Sequence, residues 1–354
     1  MNKEQIINAL KNVFDPDLHK DLISLGMIED IDFDADNVNF KLVLTTPACP
    51  MKSKMKQDAI DAIHKYVSPN VNVNIELTSR TTSQRKDQTV LKGVKNIIAV
   101  VSGKGGVGKS TVSTNLAVSL AKLGAKVGLL DADIYGPSMP LMLDLKDAQP
   151  LAYEENGSTL IIPVEKYGVK VLSIGFFVDP NQALVWRGPM ASNYLSQMLT
   201  GGEWGDLDYL VIDTPPGTGD IHLTITQNAA VTGVVIVTTP QEVALADARK
   251  AYNMFTLDNI NIPVLGLVEN MSWFTPLELP QNKYYIFGKD GGKKFAQEIN
   301  VPLLGQIPLV QGIREGGDSG KPAAMDDETM VANAYKELAE NVVKAVAIKN
   351  AEVK

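Results

Sequence analysis

The spacing of apolar positions changes character along the chain, and the changes predict its elements. Ile6, Ile7, Leu10, Val13 and Phe14 recur at helical spacing. Asp15-Pro16-Asp17 interrupts them, as a turn and a new helix start do. Short strands are predicted near 27–33 and 38–45, separated by the turn cluster Asp34-Ala35-Asp36-Asn37. Thr46-Pro47-Ala48-Cys49-Pro50 breaks the second strand. A helix over 51–66 then sets Met51, Met55, Ala59, Ala62, Ile63 and Tyr66 on or near one face, and Val71, Val73, Ile75 and Leu77 alternate as a closing strand does. These elements predict a small α+β domain over residues 1–79. Residues 80–95 carry Arg80, Arg85, Lys86, Lys92 and Lys95 against one acid, Asp87, with no apolar period before Val90, so they read as a linker.

From residue 96 to about 350 the pattern becomes strand, turn, helix, repeated. Apolar runs at 97–101, 126–130, 169–174, 207–212, 234–237 and 264–268 are nearly continuous, as in strands buried on both faces. The predicted fold class is α/β, a mostly parallel sheet with helices on both faces. Polar residues gather just beyond the strands: Asp131, Asp213, Thr238-Thr239, Glu269-Asn270. Ligands bind at that edge in such sheets. The helix after the first strand is expected to end at Leu123-Gly124, with glycine as its cap. A mixed, alanine-rich helix is expected over 331–349, without the basic and aromatic faces of a membrane-surface helix.

Charge and composition narrow the classes of function. The 354 residues carry a formal net charge of −8, which argues against a non-specific nucleic-acid binder. No apolar run approaches the roughly 20 residues that span a bilayer. The opening residues read as a polar amphipathic pattern and not as a signal-peptide core. The one cysteine, Cys49, allows no intrachain disulfide. A cytoplasmic chain is expected, with neither a membrane nor a nucleic acid as partner.

The first strand runs into Gly103-Lys104-Gly105-Gly106-Val107-Gly108-Lys109-Ser110-Thr111, which meets the phosphate-loop pattern in full. Glycines let backbone N–H groups close around phosphate oxygens, and the following helix presents its positive end. Lys109 is placed to reach the β- and γ-phosphates and Ser110 to ligate Mg²⁺. The alternative, a glycine-rich turn that binds nothing, suits the complete motif poorly. Asp213 ends an apolar strand, the arrangement that holds Mg²⁺ beside such a loop. Asp133, after the next strand, is the candidate to orient the attacking water, with a turn or cap aspartate as the bland alternative. The loop Asp213–Asp220, with two prolines and two glycines, suits a nucleotide switch in which the Gly217 N–H senses the γ-phosphate. Asn270 offers the donor and acceptor that adenine recognition needs, or serves as a cap.

Cys49 lies between two prolines, with Lys52, Lys54 and Lys56 close behind. A helix opening at Met51 would place the thiol near positive charge and favour the thiolate, a ligand for a metal or iron–sulfur cluster. The alternative is a buried inert thiol. His19, His64 and His222 lack metal-ligand spacing, and Trp186, Trp204 and Trp273 read as core or interface residues.

With its second lysine, Lys104, the loop resembles the deviant Walker A ATPases, the group that includes MinD, ParA and the nitrogenase iron protein. Within that group the chain is similar to the Mrp/ApbC iron–sulfur cluster carriers, through Asp131-Ala132-Asp133-Ile134-Tyr135-Gly136-Pro137-Ser138, the Asp213–Asp220 loop, Val268-Glu269-Asn270-Met271-Ser272 and Val301-Pro302-Leu303-Leu304-Gly305-Gln306-Ile307-Pro308. Residues 1–79 resemble the MIP/SUF-associated domain through Asp15-Pro16-Asp17, Asp21-Leu22-Ile23-Ser24-Leu25-Gly26-Met27-Ile28 and Thr45-Thr46-Pro47-Ala48-Cys49-Pro50. The resemblance implies a homodimer in which Lys104 reaches the partner's phosphates, slow ATP hydrolysis, and iron–sulfur assembly or client apoproteins as partners. It also implies a cluster held by a Cys-x-x-Cys pair soon after the Asn-Met-Ser segment. Here that region reads Trp273-Phe274-Thr275-Pro276-Leu277-Glu278-Leu279-Pro280 and has no cysteine, so Cys49 is the one candidate thiolate. The other readings are a nucleotide-dependent scaffold or adaptor without its own cluster, and a MinD/ParA-type positioning ATPase.

Overall fold

The computed structural model describes residues 1–85, 90–155, 157–177, 188–276 and 278–352. Two compact units form, one from Met1–Ser83 with the end of the chain from Val346, the other from Gln84–Ala345.

In the first unit α1 (Lys3–Leu10) is closed at its start by a capping box, the Asn2 side chain accepting from Gln5 N–H and the Gln5 side chain from Asn2 N–H. Strands β1 (Ile28–Phe33), β2 (Asn37–Leu44) and β3 (Asn72–Ser79) form a sheet in that order, with β1 antiparallel and β3 parallel to β2. The turn at 34–37 is built by Asp34, whose Oδ1 accepts from the N–H groups of Asp36 and Asn37. Helix α2 (Lys52–Tyr66) buries Met55, Ala59, Ala62 and Ile63. The helical run expected through Phe14 stops at Leu10. Val13 still reaches the core, but Phe14 is exposed and bridges to Asp21. No helix starts at Asp15. Its carboxylate instead accepts from the Asp17 and Leu18 N–H groups, which closes a turn.

The second unit is built on an eight-stranded sheet. Its strands are β4 (Val94–Val101), β5 (Val127–Asp131), β8 (Val164–Lys166), β9 (Val169–Ser173), β10 (Leu207–Asp213), β11 (Gly233–Thr238), β12 (Val264–Glu269) and β13 (Leu303–Gln306), in the order β13-β12-β11-β4-β10-β5-β9-β8. Every pairing is parallel except β8 with β9. The helices are α3 (Lys109–Lys122), α4 (Met139–Met142), α5 (Gly188–Gly201), α6 (Asp220–Asn228), α7 (Glu242–Phe255), α8 (Gly291–Glu298), α9 (Gln311–Ser319) and α10 (Met330–Glu352), the last counted with the first unit from Val346 on. Ile97, Leu210 and Ile212 share a cluster with residues of α5 and α6, and Ala99, Val101, Val234 and Ile236 share one with residues of α7 and α8. Ile98, Val100, Leu129 and Val211, at the alternate positions, are also fully buried. Side chains alternate across a strand, so both faces are covered, and α3 packs on β5 and β10.

Four strands escape the sequence pattern. A hairpin of β6 (Ala152–Glu155) and β7 (Ser158–Ile161) stands apart from the main sheet, and all of β6 is exposed. The other two, β8 and β13, are short edge strands. None has the apolar run that marks a buried strand. Between 80 and 95, Arg85 is buried and donates to the carbonyls of Val90, Leu91 and Val94, and β4 has begun by Val94. Lys86, Asp87 and Trp186 lie outside the described residues.

Leu210, fully buried in the middle of β10, aligns with Ile97 on one side and Gly128 on the other. Leu210→Ala is expected to cost roughly 2–5 kcal/mol, read as a fall in the urea midpoint of unfolding.

Candidate functional site

Strand order creates the site. The loop after β4, the end of β10 and the end of β5 lie side by side, with Asp213 in register with Val100 on one side and Asp131 on the other. Gly106 and Gly108 in the loop take φ of +82° and +83°, which residues with a Cβ seldom adopt. A Cβ on Gly103 would run into the α7 backbone at Asp247 and Ala248, so glycine there lets the loop seat against α7.

The charged centre is compact. Lys109 Nζ lies 2.7 Å from Asp213 Oδ1, with the two side chains 6% and 0% exposed. The Ser110 hydroxyl donates to Asp213 Oδ2 at 2.6 Å, and the Ser113 hydroxyl lies 2.6 Å from Oδ1. Sequence reading missed Ser113. Its signal is the helical spacing from Lys109, whose carbonyl its hydroxyl also approaches at 3.0 Å. Thr111 is half-buried at the start of α3 and accepts from Asn115 through its carbonyl. Lys104 is half-buried and makes no ion pair among the described residues.

Two aspartates after β5 take different environments. Asp131 is fully buried, accepting from the Ser173 hydroxyl at 2.9 Å and from the N–H groups of Met139 and Asp133. Burial, and then the Asp213 carboxylate, push it up to about 7. It therefore pins the turn that carries Asp133. The Asp133 carboxyl is also raised, mainly by burial, against the attraction of Lys109. Asp133 lines a cleft of about 420 Å³ together with Tyr135, Pro215, Pro216 and His222.

Asn270 does not fit the cap alternative. Its Nδ2 donates to Val107 O at 2.8 Å and so holds the phosphate loop. It also lines a groove of about 310 Å³, next to Gly108 and Thr111, with an apolar wall of Met271, Pro308 and Leu309. The Gly217 N–H, the expected phosphate sensor, donates to Ser102 O at 2.9 Å.

Cys49 departs from the thiolate expectation. It is 8% exposed and packs in the core of the first unit. Burial pushes its thiol up to about 11, outweighing the Met51 N–H hydrogen bond and the smaller attraction of Lys52. The lysines sit on the exposed side of a helix that begins at Lys52, while the thiol faces inward. Among the described residues, no group of three or more His, Cys, Asp or Glu is arranged to hold a metal ion. His64 contacts Val71 O, His19 adopts φ +52°, and Trp204 is buried. No described helix is long and apolar enough to cross a membrane.

Residues 93–343 match the family described as NUBPL iron-transfer P-loop NTPase, and residues 3–77 match one described as iron-sulfur cluster assembly protein. A Synechocystis protein named iron-sulfur cluster carrier protein is 46% identical over 351 residues, covering 98% of this chain and 99% of its own. The protein of that name from Escherichia coli K12 is 41% identical over 342 residues, covering 96% and 91%. Among solved structures, a nucleotide-binding protein in complex with ADP from Archaeoglobus fulgidus has a TM-score of 0.57 at 38% identity, covering 66% of this chain and 90% of its own. MinD complexed with Mg-ADP from Pyrococcus horikoshii has a TM-score of 0.51 at 25% identity, covering 72% and 98%.

The raised Asp131 carboxyl sets a pH dependence. With a folded pKa of about 7 against 3.8 unfolded, its stabilising contribution is full below about pH 4 and is lost as pH rises through 7. The stability of Asp131→Asn relative to wild type should therefore increase between pH 4 and 7. Urea midpoints measured across that range check this.

Proposed function

Because the chain belongs to the NUBPL iron-transfer P-loop NTPase family, we propose that it is an ATP-hydrolysing iron–sulfur cluster carrier or assembly factor that works as a nucleotide-gated homodimer. The observation that carries this reading is the meeting of Lys109, Ser110 and Asp213 at the ends of β4 and β10. The ADP of the Archaeoglobus structure and the Mg-ADP of the Pyrococcus MinD support it. Similarity to carrier proteins over nearly the whole chain, the first unit included, favours this reading over a positioning ATPase.

In this proposal the loop amides of 103–108 and Lys109 bind the phosphates, and Asn270 steadies the loop from the side of the base groove. Ser110 and Asp213 supply hard oxygens 2.6 Å apart, which suits Mg²⁺. When bound, Mg²⁺ supplies neutralisation of charge on the β- and γ-phosphate oxygens. Asp133, with its carboxyl raised by burial, accepts a hydrogen bond from the attacking water. Lys104, free of an ion pair among the described residues, acts on the phosphates of the partner subunit. The single cysteine fits a reducing compartment, the cytoplasm.

Lys104→Ala is expected to keep ATP affinity within about threefold while turnover falls roughly 10²-fold. Phosphate release and nucleotide titration separate the two, and full turnover by the variant sinks the cross-dimer role. Tight binding with no phosphate release by the wild type would favour a scaffold.

The cluster is cargo, and this chain's thiol is poorly placed to ligate it. Anaerobic reconstitution with iron and sulfide should therefore give the same content in wild type and Cys49→Ala. Stoichiometric cluster lost only in the variant would make Cys49 a ligand.

A further inference from the structure

His222 lies in the first turn of α6, 2% exposed, in a segment whose sequence pattern assigns it no role. Its Nε2 is 3.2 Å from the Thr214 hydroxyl, and Thr214 is the residue directly after Asp213. That hydroxyl carries one hydrogen. It lies 3.0 Å from Val100 O and 3.2 Å from Pro215 O, and carbonyl oxygens only accept. With that hydrogen on a carbonyl, the hydroxyl accepts from the imidazole, which is then in its Nε2–H tautomer. Thr214 is the ring's one side-chain partner among the described residues; Nδ1 meets no group at hydrogen-bond geometry, although the Gly219 and Pro215 backbones act on the ring. Burial depresses the imidazole to about 4 and keeps it neutral.

The result is a chain from His222 N–H to Thr214 O–H to the carbonyl of Val100, in the strand that leads into the phosphate loop. Two backbone ties run alongside it, from the Thr214 N–H to Val100 O at 3.2 Å and from the Gly217 N–H to Ser102 O at 2.9 Å. The segment after Asp213 is thus fastened to the end of β4 by three hydrogen bonds, of which the Thr214 hydroxyl makes one. The base of α6 reaches that one through one side chain, and α6 is itself tied to α5 by Thr224 to Ser192 and Asn228 to Ser196.

The geometry points to His222 as a positioning residue for nucleotide hydrolysis, which through Thr214 holds the Asp213 carboxylate in line with Ser110 and Lys109. This rests on the reading that the loop binds and hydrolyses ATP. Without the imidazole donor the Thr214 hydroxyl keeps its carbonyl but loses the group that fixes its position. The backbone at Asp213 then loosens, and its carboxylate no longer meets Ser110 at a fixed distance. A glutamine at 222 has an N–H donor of similar reach, whereas leucine fills the space and has none.

The test compares His222→Leu, His222→Gln, Thr214→Val and the His222→Leu/Thr214→Val double variant in the full-length chain. Leucine is expected to lower kcat about tenfold and to raise the Mg²⁺ concentration needed for half-maximal rate, with KM for ATP changed less than about threefold. Glutamine should restore most of the rate. Thr214→Val should match leucine, and the double variant should be no worse than either single one, because both remove one chain of hydrogen bonds. The Mg²⁺ dependence of fluorescent-ADP binding reads the same placement without turnover, so a wild type that fails to hydrolyse ATP sinks the hydrolysis reading and still tests this one. Wild-type Mg²⁺ dependence in His222→Leu overturns the assignment. So do fully additive losses in the double variant, or a folded His222→Gln as impaired as leucine. A urea midpoint for each variant identifies any that fail to fold, and Thr214→Val carries the test if leucine does.

Discussion

The site depends on one desolvated contact, Lys109 against Asp213. Removing two charges from water is costly, and their attraction offsets that cost only when the remaining valences are filled. Here they are filled. The two carboxylate oxygens of Asp213 are met by Lys109, Ser110 and Ser113. The pair therefore adds little net stability, but removing one member would strand a buried charge. Nucleotide chemistry gives this arrangement a use. In the proposed function phosphate oxygens would compete with Asp213 for Lys109, and a divalent cation would compete with Lys109 for Asp213. In the proposed cycle the exchange keeps the local charge balanced at each step.

The fold places the contact through strand order and not through sequence proximity. Residues 109 and 213 are far apart in the chain, yet β4 and β10 are hydrogen-bonded neighbours whose ends coincide. Asp131, one strand further over, is kept out of the charged centre by Ser173 and the Met139 N–H. Three carboxylates thus lie close together without three negative charges competing for one cation. One is paired, one is raised by burial and anchors a turn, and Asp133 lies at the cleft.

How much of this was readable follows from what each feature depends on. The phosphate loop was legible because its requirements are local: glycines at positive φ, a strand before and a helix after. Asp213 was legible as the polar end of an apolar strand. The role of Asn270 was not, because its partner Val107 lies 163 residues away in the chain. Ser113 was hidden for the opposite reason, as one hydroxyl among several on a helix. The short edge strands β8 and β13 were missed because hydrogen bonding to a neighbour defines them more than apolar burial does. Cys49 stayed open between thiolate and buried thiol because nearby lysines are visible in a sequence and side-chain direction is not; the structure matches the buried thiol. A thiol facing a core loses more from desolvation than it gains from charges that remain in water.

That inward-facing thiol bears on how the chain divides its work. An iron–sulfur cluster is ordinarily held by four cysteine thiolates. A homodimer of this chain has two cysteines in total, each buried in the small unit. The hairpin that follows Asn270 is instead closed by backbone hydrogen bonds between Phe274 and Tyr284, with Lys283 stacked 3.9 Å over Trp273. An aromatic ring and a lysine there offer packing and charge, not ligands for iron. The phosphate loop, Asp213 and Asp133 require none of those thiolates. In the proposed cycle nucleotide handling draws on the second unit, with Lys104 acting across the dimer, and thiolates for cargo come largely from other molecules. In that proposed cycle ATP changes what the protein contacts, and a partner supplies most of the bonds to iron.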